Sequence, residues 1–93
     1  MSHHDAMRAR IGARLRERRR LLGMTQDQCA TLIGLPRLSL TRIELGHRRL
    51  KPSELEPVCV ALGCSAADLL GDAALAEAAM RNAHRLEAGK PLR

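Results

Sequence analysis

The sequence predicts an all-α fold. Two observations carry that expectation. The chain contains no Trp, Tyr or Phe, so its core must be built from Leu, Ile, Val, Met, Ala and Cys, which favours close-packed helices over an aromatic-rich sheet. Helix punctuation also recurs along it. Apolar residues at i, i+3, i+4 spacing are closed by Gly23, Gly34, Gly46 and Gly63 and reopened by cap residues such as Thr25, Ser53 and Ser65. At 93 residues, the chain is the size of one small domain.

In order, residues 1–7 are read as a disordered start and a first helix as running from Arg8 to Leu22. Ile11, Leu15 and Leu22 form its inward face. Arg8, Arg10, Arg14, Arg16, Arg18, Arg19 and Arg20 occupy its other faces, which are read mostly as solvated. Gly23 stops that helix, and Met24 fills the core between helices. Thr25 with Gln28 three residues later is a T-x-x-Q capping box, opening a second helix over 26–33. Its apolar stripe is Cys29, Ala30 and Ile33. Gly34 ends it, Leu35 re-enters the core, and Pro36 prepares the start of a third helix over 37–44. Leu40 and Ile43 share one face of that helix. Arg37, Leu38, Thr41 and Arg42 occupy the other.

Gly46 opens the basic loop 47–51. Ser53 as N-cap with Glu56 predicts a fourth helix over 54–62, distorted or late-starting because of Pro57. Val58, Cys59 and Leu62 face inward. Ser65 and Asp68 frame a short fifth helix over 66–70, where Leu69 and Leu70 finish the core. The domain thus spans 8–71. Asp72 caps a sixth helix over 73–88, whose stripe of Leu75, Ala76, Ala79, Met80, Ala83 and Leu86 marks 72–93 as a C-terminal helix and tail, a candidate dimerisation element.

The stretch QDQCATLIGLPRLSLTRIEL, residues 26–45, resembles the helix-turn-helix of the Xre/Cro phage-repressor-type family. IGARLRERRRLLGMTQ before it, and IELGHRRL and LEPVCVALGCSAADLL after it, extend the resemblance from about Ile11 to Leu70. It implies a five-helix repressor-like domain whose third helix lies in the major groove of double-stranded DNA. On that reading Arg37, Leu38, Arg42 and Thr41 face base edges, arginine suiting guanine and leucine a thymine methyl. Gln26, Ser39, His47, Arg48 and Arg49 face phosphates. Arg19 and Glu44 match positions that form an ion pair tying the first helix to the third.

The net charge of +6, carried mostly by arginine, fits a polyanionic partner. The lack of aromatics argues against single-strand binding by base stacking. The three cysteines have no CxxC spacing and read as reduced core thiols of a cytoplasmic protein, with no metal site. No apolar run is long enough for a membrane span, and no signal peptide is apparent. His3, His4, His47 and His84 are scattered, Ser and Asp sit at helix caps, and no nucleophile motif, paired carboxylates or phosphate loop is present, so no catalytic residue or cofactor is assigned. The expectation is a homodimeric repressor bound to an imperfect palindrome. The alternative is an antitoxin or adaptor whose last helix binds a partner protein such as a toxin.

Overall fold

The computed structural model describes residues 3–71, in which no strand occurs. Four helices, α1 (His3–Leu21), α2 (Gln26–Ile33), α3 (Arg37–Glu44) and α4 (Pro52–Leu62), are followed by a short α5 at 66–71. The all-α expectation holds. The helix expected over 73–88, and with it the tail to residue 93, lies outside the described residues.

One core joins the helices. Leu15 of α1, Cys29, Ala30 and Ile33 of α2, Leu40 and Ile43 of α3, Val58 and Leu62 of α4, and Leu69 of α5 are buried together. Ile11, Met24, Leu35 and Cys59 pack on its edge. α1 lies against α3, and α2 lies against both α3 and α4. None of the described helices is long and apolar enough to cross a membrane.

The α1–α3 contact depends on missing side chains. A Cβ on Gly12 would stand 2.1 Å from the carbonyl oxygen of Ile43 and 2.8 Å from that of Glu44. One on Gly46 would stand 2.9 Å from the Cα of Ala9. These two glycines let the backbones of α1 and the end of α3 approach directly, with no side chain between them.

Apart from a one-residue extension of α5, three boundaries differ from the sequence reading. α1 begins at His3, so residues 3–7 are helical where a disordered start was expected. Asp5 in the first turn complements the helix dipole and pairs with Arg8 at 3.5 Å. Met7 lines an open cleft together with Ile11, Ile43 and Leu50. At the other end α1 stops at Leu21, one residue early. Met24 N–H bonds back to the Arg19 carbonyl at 3.0 Å, and the turn leaves Leu22 exposed while Met24 takes the inward place.

α4 starts earlier than expected, at Pro52. Lys51 is its N-cap, and the Glu54 carboxylate accepts the Lys51 N–H at 2.9 Å. Pro52 at the first position and Glu54 at the third therefore replace the Ser53–Glu56 pair of the sequence reading. Pro57 sits inside the helix with its ring exposed. It supplies no N–H to the Ser53 carbonyl, and Ser53 lies on the exposed side, where water can meet that group.

Candidate nucleic-acid interface

The α2–turn–α3 unit is shaped by local chemistry. The Thr25 hydroxyl accepts the Gln28 N–H at 3.0 Å, and the Gln28 side chain accepts the Thr25 N–H at 2.9 Å, so the capping box closes both ways. At the far end Gly34 adopts φ +88°, a left-handed conformation that costs glycine little. The N–H groups of Gly34 and Leu35 then both reach the Ala30 carbonyl, at 2.8 and 2.9 Å. Pro36, at φ −63°, turns the chain into α3.

α3 is held from behind by a network centred on Glu44. Arg19 Nε donates to Glu44 Oε2 at 2.6 Å, and Arg19 Nη2 donates to Oε1 at 3.0 Å. Arg19 Nη1 reaches the Met24 carbonyl at 2.8 Å. Gln26 Nε2 donates to Glu44 Oε1 at 3.1 Å, and Gln26 Oε1 accepts the Thr41 hydroxyl at 3.0 Å. Both charged residues of the pair are buried. The hydrogen bonds that Arg19 donates to Glu44 raise its pKa against the opposing effect of burial. The network fastens α1, the α1–α2 turn, α2 and α3 to one another. Burial beside it pushes the Cys29 thiol up, consistent with an inert core cysteine.

Three site residues are therefore placed differently from the sequence reading. Thr41 faces α2 rather than outward: its hydroxyl lies 3.0 Å from Gln26 Oε1 and 3.1 Å from the Arg37 carbonyl. Gln26 spends its oxygen and one amide hydrogen inside the protein, which leaves one side-chain N–H for an outside acceptor. Arg48 is not a free cation. Its guanidinium makes two bonds of 2.9 Å to the Glu54 carboxylate and one of 3.1 Å to the Arg49 carbonyl. Hydrogen bonding to Arg48 holds the Glu54 pKa down at about 2. These positions are polar, Gln26 at a helix start, Thr41 within a helix and Arg48 in a loop, so their spacing alone did not separate inward from outward partners.

The outward face of α3 carries Arg37, Leu38 and Arg42, all exposed. Leu38 is 59% exposed and Leu45, three residues beyond Arg42, is 57% exposed. Leu38, Arg42 and Leu45 form a row at i, i+4, i+7; Leu45 was missed, although that spacing was legible. Arg37 stands 3.7 Å from Asp27 at the start of α2, with both side chains largely solvated, a geometry that contributes little stability. Ser39 is half-buried. His47 and Arg49 are exposed in the following loop. The loop is tied to α3 because the N–H groups of His47 and Arg48 both bond the Arg42 carbonyl, at 2.8 and 3.2 Å.

Two arginines of α1 also have internal work. Arg18 Nε and Nη2 donate at 3.0 Å to the carbonyls of Leu62 and Gly63 at the end of α4. Arg14 Nη1 lies 3.5 Å from the Asp68 carbonyl. Cations at helix C-termini complement the dipole there. The solvated-face reading of these two residues gives way to one in which α1 holds α4 and α5.

The comparisons agree with this architecture. The helix-turn-helix domain family matches residues 10–70, close to the span over which the motifs were read. Among solved structures, the chain is similar to the restriction-modification controller protein C.AhdI from Aeromonas hydrophila, at 31% identity and a TM-score of 0.69 over 73% of this chain and 99% of that one. It is also similar to the clp gene regulator ClgR from Corynebacterium glutamicum, at 30% identity and a TM-score of 0.67 over 85% of this chain and 87% of that one. The hypothetical transcription factor NHTF from Neisseria is similar at 27% identity and a TM-score of 0.66 over 75% and 80% of the two chains. No curated protein matches the chain. Motif, fold and family match coincide over the same residues, and the chain belongs to the helix-turn-helix domain family.

Proposed function

We propose that this chain is a sequence-specific, double-stranded-DNA-binding regulator of transcription, acting in the cytoplasm as a homodimeric repressor that blocks its site sterically. One observation supports the reading most: α3 is fixed by the Glu44 network while the side chains of Arg37, Leu38 and Arg42 stand exposed and outside that network. A rigid helix with a free polar face suits insertion in a major groove. Arg37 and Arg42 take guanine O6 and N7, and Leu38 contacts a thymine methyl. Arg49, His47 and Ser39, with the remaining N–H groups at the start of α2, meet the flanking phosphates. Thr41, Gln26 and Arg48 position these groups. The similarity to a restriction-modification controller and a clp gene regulator supports regulation as the purpose of binding.

The test begins with selection of bound sites from random duplex DNA. Arg37→Ala is expected to cost about 1–3 kcal/mol on the selected site and to relax preference at one base per half-site. Affinity for random DNA should fall much less. Equal weakening of selected and random DNA would show that Arg37 meets phosphate, and would remove sequence reading from the first residue of α3.

A further inference from the structure

α4 ends in a Schellman turn, and its chemistry is unusual. Gly63 takes φ +61°. Its N–H reaches the Val60 carbonyl at 3.3 Å, and the Cys64 N–H reaches back to the Cys59 carbonyl at 3.1 Å. This six-to-one closure brings together the side chains at its two ends, which in such turns are frequently a pair of hydrophobes. Here both are thiols. All three cysteines are free thiols, and the backbone bond from Cys64 to Cys59 places these two at facing ends of the turn.

Access differs among the three. Cys29 is fully buried, whereas Cys59 and Cys64 are partly exposed. Cys64 also lines an open cleft of about 500 Å³ with Arg14, Arg18, Leu21 and Asp68. A small solute can therefore reach Cys64, with Cys59 adjacent to it in the turn.

We infer that Cys59 and Cys64 form a redox-reactive dithiol that a hydroperoxide converts to an intrachain disulfide across the end of α4. The Cys64 thiolate attacks the peroxide oxygen; the O–O bond breaks, the peroxide is reduced to an alcohol or water, and Cys64 becomes a sulfenic acid. The Cys59 thiolate then attacks that sulfur. The S–S bond forms as the S–O bond breaks, and the hydroxide leaves as water after taking up a proton. Both electrons go to the peroxide, and a dithiol reductant reverses the change. Burial raises the Cys59 pKa, which makes its thiolate scarcer and opposes the second step; its position across the turn from Cys64 offsets this, and the bond should form faster as pH rises. The inference is independent of the DNA-binding reading, because this turn is on α4 and the proposed base-contacting face is on α3.

The experiment treats the reduced full-length chain with hydrogen peroxide below its unfolding temperature. Free thiols are titrated in denaturant, and peptides are mapped without reduction. Thiols should fall from three to one, with Cys29 the survivor, and the peptide carrying both other cysteines should lose two hydrogens in mass. Dithiothreitol should restore all three. Cys64→Ser, shown to be folded by circular dichroism, should give no intrachain bond. In urea the bond should form more slowly, since the turn that pairs the thiols is lost. Retention of all three thiols, a bond between chains, oxidation of one cysteine to the sulfinic acid, or an unchanged rate in urea would each overturn the inference.

Discussion

Glu44 is the residue on which the orientation of α3 depends. Its carboxylate takes three hydrogen bonds, two from Arg19 and one from Gln26. Removing it strands a buried guanidinium, and the cost of that is larger than the worth of the pair itself. Glu44→Ala should destabilise the fold by about 3–5 kcal/mol, read by urea unfolding; a loss under about half a kcal/mol would mean that Arg19 finds water instead. The double variant Arg19→Met/Glu44→Leu should be closer to the parent in stability than Glu44→Ala, because no uncompensated charge remains. Glu54 makes a separate, pH-dependent contribution. Its folded pKa is about 2 against an ordinary 4.5. A depressed carboxylate stabilises fully above its unfolded value and loses that contribution as pH falls from about 4.5 towards 2. Up to about 3 kcal/mol should disappear over that window. Unfolding followed against pH should show the slope, and Glu54→Gln should flatten it.

At the scale of elements, α1 and α3 are in backbone contact at Gly12 and Gly46. Alanine favours a helix interior by about 1 kcal/mol over glycine. At Gly12 that gain is opposed by a Cβ placed 2.1 Å from the Ile43 carbonyl oxygen, and backbone cannot rotate away as a side chain can. Gly12→Ala should therefore be destabilising by about 1–3 kcal/mol net, with thermal unfolding as the readout; a stabilised variant would mean the helices separate without cost. Neither contact was legible in the sequence. A glycine inside an arginine-rich helix gives no periodic signal, and Gly46 read only as a helix stop. The α2–α3 unit was legible to the residue, because Thr25, Gln28, Gly34 and Pro36 determine its ends locally. The start of α4 was missed because Ser53 and Pro52 both suit a helix start, and the deciding bonds come from Glu54 and Arg48. The inward turn of Thr41 and Gln26 was missed for a related reason: a polar side chain's partner depends on which helix lies behind it, and single-chain periodicity does not report that.

For the whole molecule, the net charge of +6 overstates what is free to meet a polyanion. Arg14, Arg18, Arg19 and Arg48 are engaged with carbonyls or carboxylates of the fold. The salt dependence of binding should reflect the uncommitted cations. Arg49→Ala should reduce the slope of log affinity against log salt by about one unit. Arg48→Ala should reduce it less and should lower stability instead, by freeing Glu54. Equal slopes for the two variants would place both arginines on phosphate. If two copies bind together, their half-sites should be centred about 34 Å, or roughly 10 base pairs, apart on one side of the duplex; hydroxyl-radical footprinting would show protections at that period.

The bonds that hold α3 run through the side chains of Glu44 and Thr41, whereas those of Arg37, Leu38 and Arg42 are exposed and take no part in them. On the proposed reading, stability and recognition thus rest on different side chains of the same eight residues. Substitutions in one set need not disturb the other, and the two can drift separately. A set of variants randomised at 37, 38 and 42 should melt within a narrow range while differing widely in the sequences they select. The chain would then serve as a scaffold that can be readdressed without being refolded.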